Sequence, residues 1–156
     1  MRHHGKRFLH VLMLFVLVAP ACRERGQFGT PSETFYTYHR ALERRDTRLE
    51  WACYTDSYRT MVMDRAGTDG YRGWAKRAKR RDETTRQSLM GKQVVDEKIF
   101  GSDAAYLVLE PKEGGQMEFM YLMKVENAWK ITSFLDEHFR EAVEDAVRRG
   151  AIGVPR

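Results

Sequence analysis

The stretch QMEFMYLMKVE, residues 116–126, constrains the fold of this chain more than any other, because it reads as a strand that is apolar on both faces. Side chains alternate across a strand, so Phe119 and Tyr121 point one way while Met120 and Leu122 point the other. Such a strand belongs in the middle of a sheet with cover above and below. Three more runs with a period of two accompany it: KQVVDEKIF, AAYLVLEPK and AWKITSF. The breaks between the four runs fall at Gly101-Ser102-Asp103, Glu113-Gly114-Gly115 and Asn127, the pattern of a four-stranded antiparallel meander.

The chain before residue 91 has helical periodicity. In TPSETFYTYHRALERRD, Thr30 can cap a helix, Pro31 suits its first position and Glu33 can complete a capping box, with Phe35, Tyr38 and Leu42 on one face. A second helical stretch follows Asp46, with Leu49, Ala52 and Cys53 inward. A third begins near Asp56 with Tyr58, Met61 and Val62. One long helix is expected over roughly residues 69–90, burying Tyr71, Trp74, Ala75, Ala78, Thr85 and Leu89, and ending at Gly91. A last helix over roughly 135–149 carries the stripe Leu135, Phe139, Ala142, Val143 and Ala146. It is expected to cover the sheet face bearing Met120 and Leu122, or to form a dimer seam. The fold class expected is therefore α+β, with N-terminal helices packed on a four-stranded antiparallel sheet and a C-terminal helix added.

The beginning of the chain reads as an address. Arg2, Lys6 and Arg7 precede an apolar run, Phe8 to Val18, broken only by His10. That order is a secretory signal over residues 1–21. The run is about half the roughly 20 apolar residues a spanning helix needs. Ala19-Pro20-Ala21 is an A-x-A site for ordinary signal cleavage. The same residues, followed at once by Cys22, resemble a bacterial lipobox, in which the cysteine is lipidated and becomes the new N-terminus; Ala19 and Pro20 depart from its usual residues. Lipidation at Cys22 is the expectation, which makes the protein a membrane-anchored lipoprotein of the bacterial cell envelope. Ordinary cleavage, giving a soluble periplasmic or secreted protein, is the alternative. Residues 22–29 suit a tether, of which residues 23–29 reach at most roughly 25 Å.

The capped helix with its following segment, TPSETFYTYHRALERRDTRLEWACYTDSYR, and the closing ENAWKITSF resemble the small bacterial envelope lipoprotein branch of the nuclear transport factor 2-like superfamily. Glu43-Arg44-Arg45-Asp46 and the Ala128-Trp129-Lys130-Ile131 run carry most of the likeness, which covers residues 30–134. Residues 135–156, the C-terminal helix and tail, lie outside it. The resemblance implies a curved sheet lined by helices, a cystatin-like cone with a pocket. Isomerases, dehydratases and many domains without a known reaction share that cone, so the likeness implies no reaction.

Charge narrows the partners. The chain has 27 Lys+Arg against 22 Asp+Glu; removal of residues 1–21 takes three cations and no acid, leaving 24 against 22. That balance gives no reason to expect a nucleic-acid partner. The cluster WAKRAKRRDETTR holds Lys76, Arg77, Lys79, Arg80 and Arg81, readable as a solvated helix face or as an attraction to anionic lipid headgroups. If Cys22 carries lipid, Cys53 is left alone as small buried filler; otherwise the two could pair.

No catalytic set converges. A base and oxyanion donor of the ketosteroid isomerase type could be drawn from Tyr36, Tyr38, Tyr54, Asp56, Tyr58, Asp96, Tyr106 and Tyr121, but each has an ordinary structural role open to it. His39 and His138 have no metal-ligand spacing. Ser88, Ser102 and Ser133 lack a nucleophile-elbow context. Met117 and Met123 share one strand face and Met120 the other, so the three thioethers cannot meet on one ion. The function expected is binding of a ligand or protein partner without catalysis and without cofactor or metal. A homodimer or protein partner could use the sheet face or the last helix. A small-molecule enzyme of isomerase or dehydratase type, acting in the cone, is the alternative.

Overall fold

A computed structural model of the protein describes residues 27–151. The expected signal, the lipidation residue Cys22 and most of the tether lie outside the described residues, as do residues 152–156. Five helices come first: α1 (Pro31–Arg44), α2 (Thr47–Ala52), α3 (Asp56–Ala66), α4 (Gly70–Lys79) and α5 (Glu83–Met90). The strands β1 (Lys92–Phe100), β2 (Ala104–Pro111), β3 (Glu118–Val125) and β4 (Ala128–Thr132) follow, and α6 (Glu137–Arg148) closes the chain. The fold is α+β, and its sheet is an open antiparallel meander in the order β1-β2-β3-β4.

Polar caps set the helix starts. The Thr30 hydroxyl accepts from the Glu33 backbone at 3.1 Å while the Glu33 carboxylate accepts from the Thr30 N–H, which is the expected capping box. Asp46, Thr55 and Asp136 cap α2, α3 and α6 in the same sense. The single helix expected over 69–90 is instead two. Asp82 takes an extended backbone and accepts from the Thr85 N–H at 2.8 Å, starting a new helix, and the break turns Arg81 inward. Thr85 and Leu89 keep helical register with Ala78, which is why one helix is expected, but residues 79–84 hold no apolar side chain and Asp82 is itself a helix-start residue.

The β3–β4 turn explains its sequence: Glu126 and Asn127 both have positive φ, 50° and 64°, as a two-residue type I′ hairpin requires. The outer edge of β4 is covered. Thr55 N–H donates to the Ile131 carbonyl, Ile131 N–H to Cys53, and Trp129 N–H to Phe28.

Two cores lie on opposite faces of the sheet. Toward α1–α5, Leu107, Leu109, Leu122, Trp129 and Ile131 pack with Phe35, Leu42, Tyr54 and Trp74. On the other face, Phe100, Ala104 and Met123 pack with Phe139 and Ala146 of α6. This corrects the sequence reading, which placed α6 over Met120 and Leu122. Those two face the N-terminal helices, and α6 covers the Tyr121 and Met123 side, where its Phe139 ring lies 5.2 Å from that of Tyr121 and 5.8 Å from that of Phe100. The pleat decides which residues share a face, but nothing in it assigns a face to a helix. Leu135 lies ahead of α6, is 75 % exposed and contributes nothing to the stripe.

Candidate ligand-binding cleft

β4 pairs only with residues 121–125 of β3, so Glu118, Phe119 and Met120 extend beyond it. At this step a cleft of about 410 Å³ opens between the helices and the sheet. Phe35 and Tyr38 of α1, Tyr58 and Met61 of α3, and Leu89 of α5 supply one wall; Leu109, Met120 and Ile131 supply the other, and Ser133 to Leu135 border it. The volume is within the ~300–1,000 Å³ range of small-molecule sites. Arg65, Lys92 and Glu118 bring charge to its lining, and the Lys92 ammonium pairs with the Glu118 carboxylate at 2.5 Å.

The tyrosine hydroxyls in this wall are protonated donors at neutral pH. Burial raises Tyr38 above the ordinary phenol range, and the nearby Glu50 charge adds to the effect. Burial likewise raises Tyr58. Behind them lies Glu50, 3 % exposed. Its Oε1 accepts from the Tyr54 hydroxyl at 2.9 Å and from Arg81 Nη2 at 3.0 Å. Burial opposes the Arg81 charge, but Glu50 outweighs it and holds the guanidinium protonated even more firmly than usual. A buried carboxylate needs such a partner. Glu50 does not line the cleft.

The sequence candidates are scattered by the fold. Tyr38 and Tyr58 line the cleft, with Tyr121 and Ser133 at its border. Tyr54 is buried against Glu50, Tyr36 is exposed, and Tyr106 joins the α6 side. Asp56 opens α3 and pairs with Arg59 at 2.6 Å; Asp96 is exposed beside an irregularity in β1. His138 is exposed on α6. His39 packs its ring 4.0 Å from that of Phe35, and burial, then the Lys112 and Lys92 charges, lowers its pKa to about 4. Cys53 is fully buried, its thiol donates to the Leu49 carbonyl, and burial pushes its pKa up to about 12. Met120 packs toward the helices, Met123 toward α6, and Met117 is exposed. Among the described residues no three potential ligands cluster for a metal ion. No described helix is long and apolar enough to cross a membrane.

Sequence reasoning missed the Glu50–Arg81 pair. Its one available signal was the i, i+4 placement of Glu50 and Tyr54 on the face that also carries Cys53. Comparison with protein families, with characterised proteins and with solved structures finds no match to this chain.

Proposed function

We propose that the protein is an exported bacterial envelope lipoprotein, anchored through lipid on Cys22, whose domain of the nuclear transport factor 2-like kind binds a small apolar ligand with a polar handle. The observation that carries the binding reading is the cleft of about 410 Å³, with aliphatic and aromatic walls that include Tyr38 and Tyr58, and with Arg65, Lys92 and Glu118 as the charged groups of its lining. The order of helices, open meander and closing Trp129 strand supports the family reading. The anchor rests on residues 1–22.

Calorimetric titration of the purified protein with 1-naphthol tests the cleft. Saturable binding is expected, weakened at least tenfold by Met120→Trp, which fills the space. Equal affinity in both proteins would place the ligand elsewhere. Metabolic labelling with a fatty acid tests the anchor: the wild type should incorporate label and Cys22→Ser should not, since acyl burial contributes about 0.8 kcal/mol per methylene to membrane binding. A wild type that takes up no label and fractionates as soluble contradicts lipidation.

A second reading, a small-molecule enzyme acting in the cleft, is favoured by one observation: the buried Glu50 carboxylate bonded to Tyr54. It requires Glu50 to exchange protons with a ligand through the intervening tyrosines. Substrate turnover abolished by Glu50→Gln, with ligand affinity intact, is the result it predicts.

A further inference from the structure

A second cavity, of about 370 Å³, lies between α3 and α4 and shares only Arg65 with the lining of the cleft. Val62, Ala66 and Ala78 give it an apolar floor with the nearly buried Trp74 and Tyr54, and Arg65, Arg77, Arg80 and Arg81 surround that floor. The charge of Arg81 is already matched by Glu50. The one carboxylate in the lining, Asp82, is engaged by the Thr85 N–H at 2.8 Å and the Thr85 hydroxyl at 2.9 Å. Arg65, Arg77 and Arg80 pair with no carboxylate among the described residues. Three guanidiniums against Asp82 leave the cavity with a surplus of two positive charges.

We propose that this groove binds a phosphomonoester carrying a short apolar substituent. A phosphomonoester carries close to two negative charges at neutral pH, its second pKa lying near 6, and so matches the surplus; a carboxylate or a phosphodiester supplies one. Guanidinium forks match phosphate oxygens in geometry and can engage them bidentately. The apolar substituent lies on Val62, Ala66 and Ala78. The break between α4 and α5 makes the site: it sends Arg81 inward to Glu50 and leaves Arg77 and Arg80 on the rim. The phosphomonoester could be a soluble ester or the headgroup of an anionic lipid, and the two sources separate experimentally.

Calorimetry on the purified full chain with octyl phosphate, below its micellar concentration, tests the site. The expected result is one site, bound at least tenfold more tightly than inorganic phosphate and at least fivefold more tightly than the methyl octyl phosphodiester. The double variant Arg77→Gln/Arg80→Gln should lose at least tenfold in affinity while keeping the wild-type unfolding temperature and its 1-naphthol binding. Affinity should also fall between pH 7 and pH 5 as the phosphate takes up its second proton. Co-sedimentation of the Cys22→Ser variant, which carries no acyl anchor, with phosphatidic acid vesicles but not phosphatidylcholine vesicles, and its release by octyl phosphate, identify a lipid source; octyl phosphate binding without co-sedimentation of that variant identifies a soluble ester. Undiminished binding by the double variant, equal binding of the diester, or vesicle binding by the Cys22→Ser variant that octyl phosphate does not compete overturns the proposal.

Discussion

The two faces of one sheet are closed by different means. On the helix side, five helices bury a continuous layer that includes an ion pair, Glu50 with Arg81, and leave a cleft at the step where β4 stops short of β3. On the far side a single helix, α6, closes a small cluster around Phe139 and leaves Phe119 and Phe134 each 54 % exposed. The large side can hold polar groups and a cavity because many elements fix its shape. The small side depends on one aromatic anchor.

That contrast makes predictions of graded size. Truncation after Ser133 should have the largest effect: with α6 gone, Phe100, Tyr106, Tyr121 and Met123 lose their cover, and unfolding, aggregation or a changed oligomeric state should appear in sedimentation and thermal melts. A truncated protein that stays soluble, melts like the wild type and sediments unchanged would show that the small side needs no helix. Next in size, Arg81→Met leaves the Glu50 carboxylate buried and unpaired and should lower stability by about 3–5 kcal/mol in urea denaturation. Adding Glu50→Met should restore most of the loss, because a buried pair replaced by apolar side chains is often neutral. Failure of the double variant to recover would mean that the pair does more than neutralise charge.

Phe139→Ala should cost about 3–5 kcal/mol, since burying the ring contributes about 1.5–3 kcal/mol and a cavity adds to the loss. If the small side rests on this ring, no other single α6 side chain should match that value. Asp136→Ala removes the cap of α6 and should cost about 1 kcal/mol.

The pH dependence concerns the helix side. His39 is neutral in the folded protein down to about pH 4, whereas the unfolded chain binds that proton near the ordinary 6.5. Between those values the unfolded state carries more protons, so stability rises with pH across the window and is lost as pH falls from 6.5 toward 4. His39→Gln should flatten that part of the stability profile, measured as the urea midpoint against pH.

Much of the fold was legible because it rests on local chemistry. The period of two, the turn at Asn127 and the Thr30 capping box each act within a few residues and each appears as read. What was not legible depends on distance in the chain. Arg81 finds Glu50 31 residues away, whereas Asp82, which starts a helix by accepting from the Thr85 N–H three residues on, is a local signal masked by the register that Thr85 and Leu89 keep with Ala78. The face taken by α6 was misassigned because Met120 and Tyr121 are equally apolar neighbours, and only the packing of the earlier helices decides which of them remains for α6. The cleft follows from the mismatch in length between β3 and β4, a tertiary fact, although Tyr38 and Tyr58 in its wall had stood among the sequence candidates.

Met120 and Met123 lie on opposite faces of β3, one toward the cleft and one toward α6. Their methyl resonances, observed by NMR with isotope-labelled methionine during a titration with 1-naphthol, test the central claim that ligand enters on the helix side of the sheet. The Met120 methyl should shift progressively to saturation while that of Met123 stays in place. A titration that moves Met123 and leaves Met120 unmoved would contradict it.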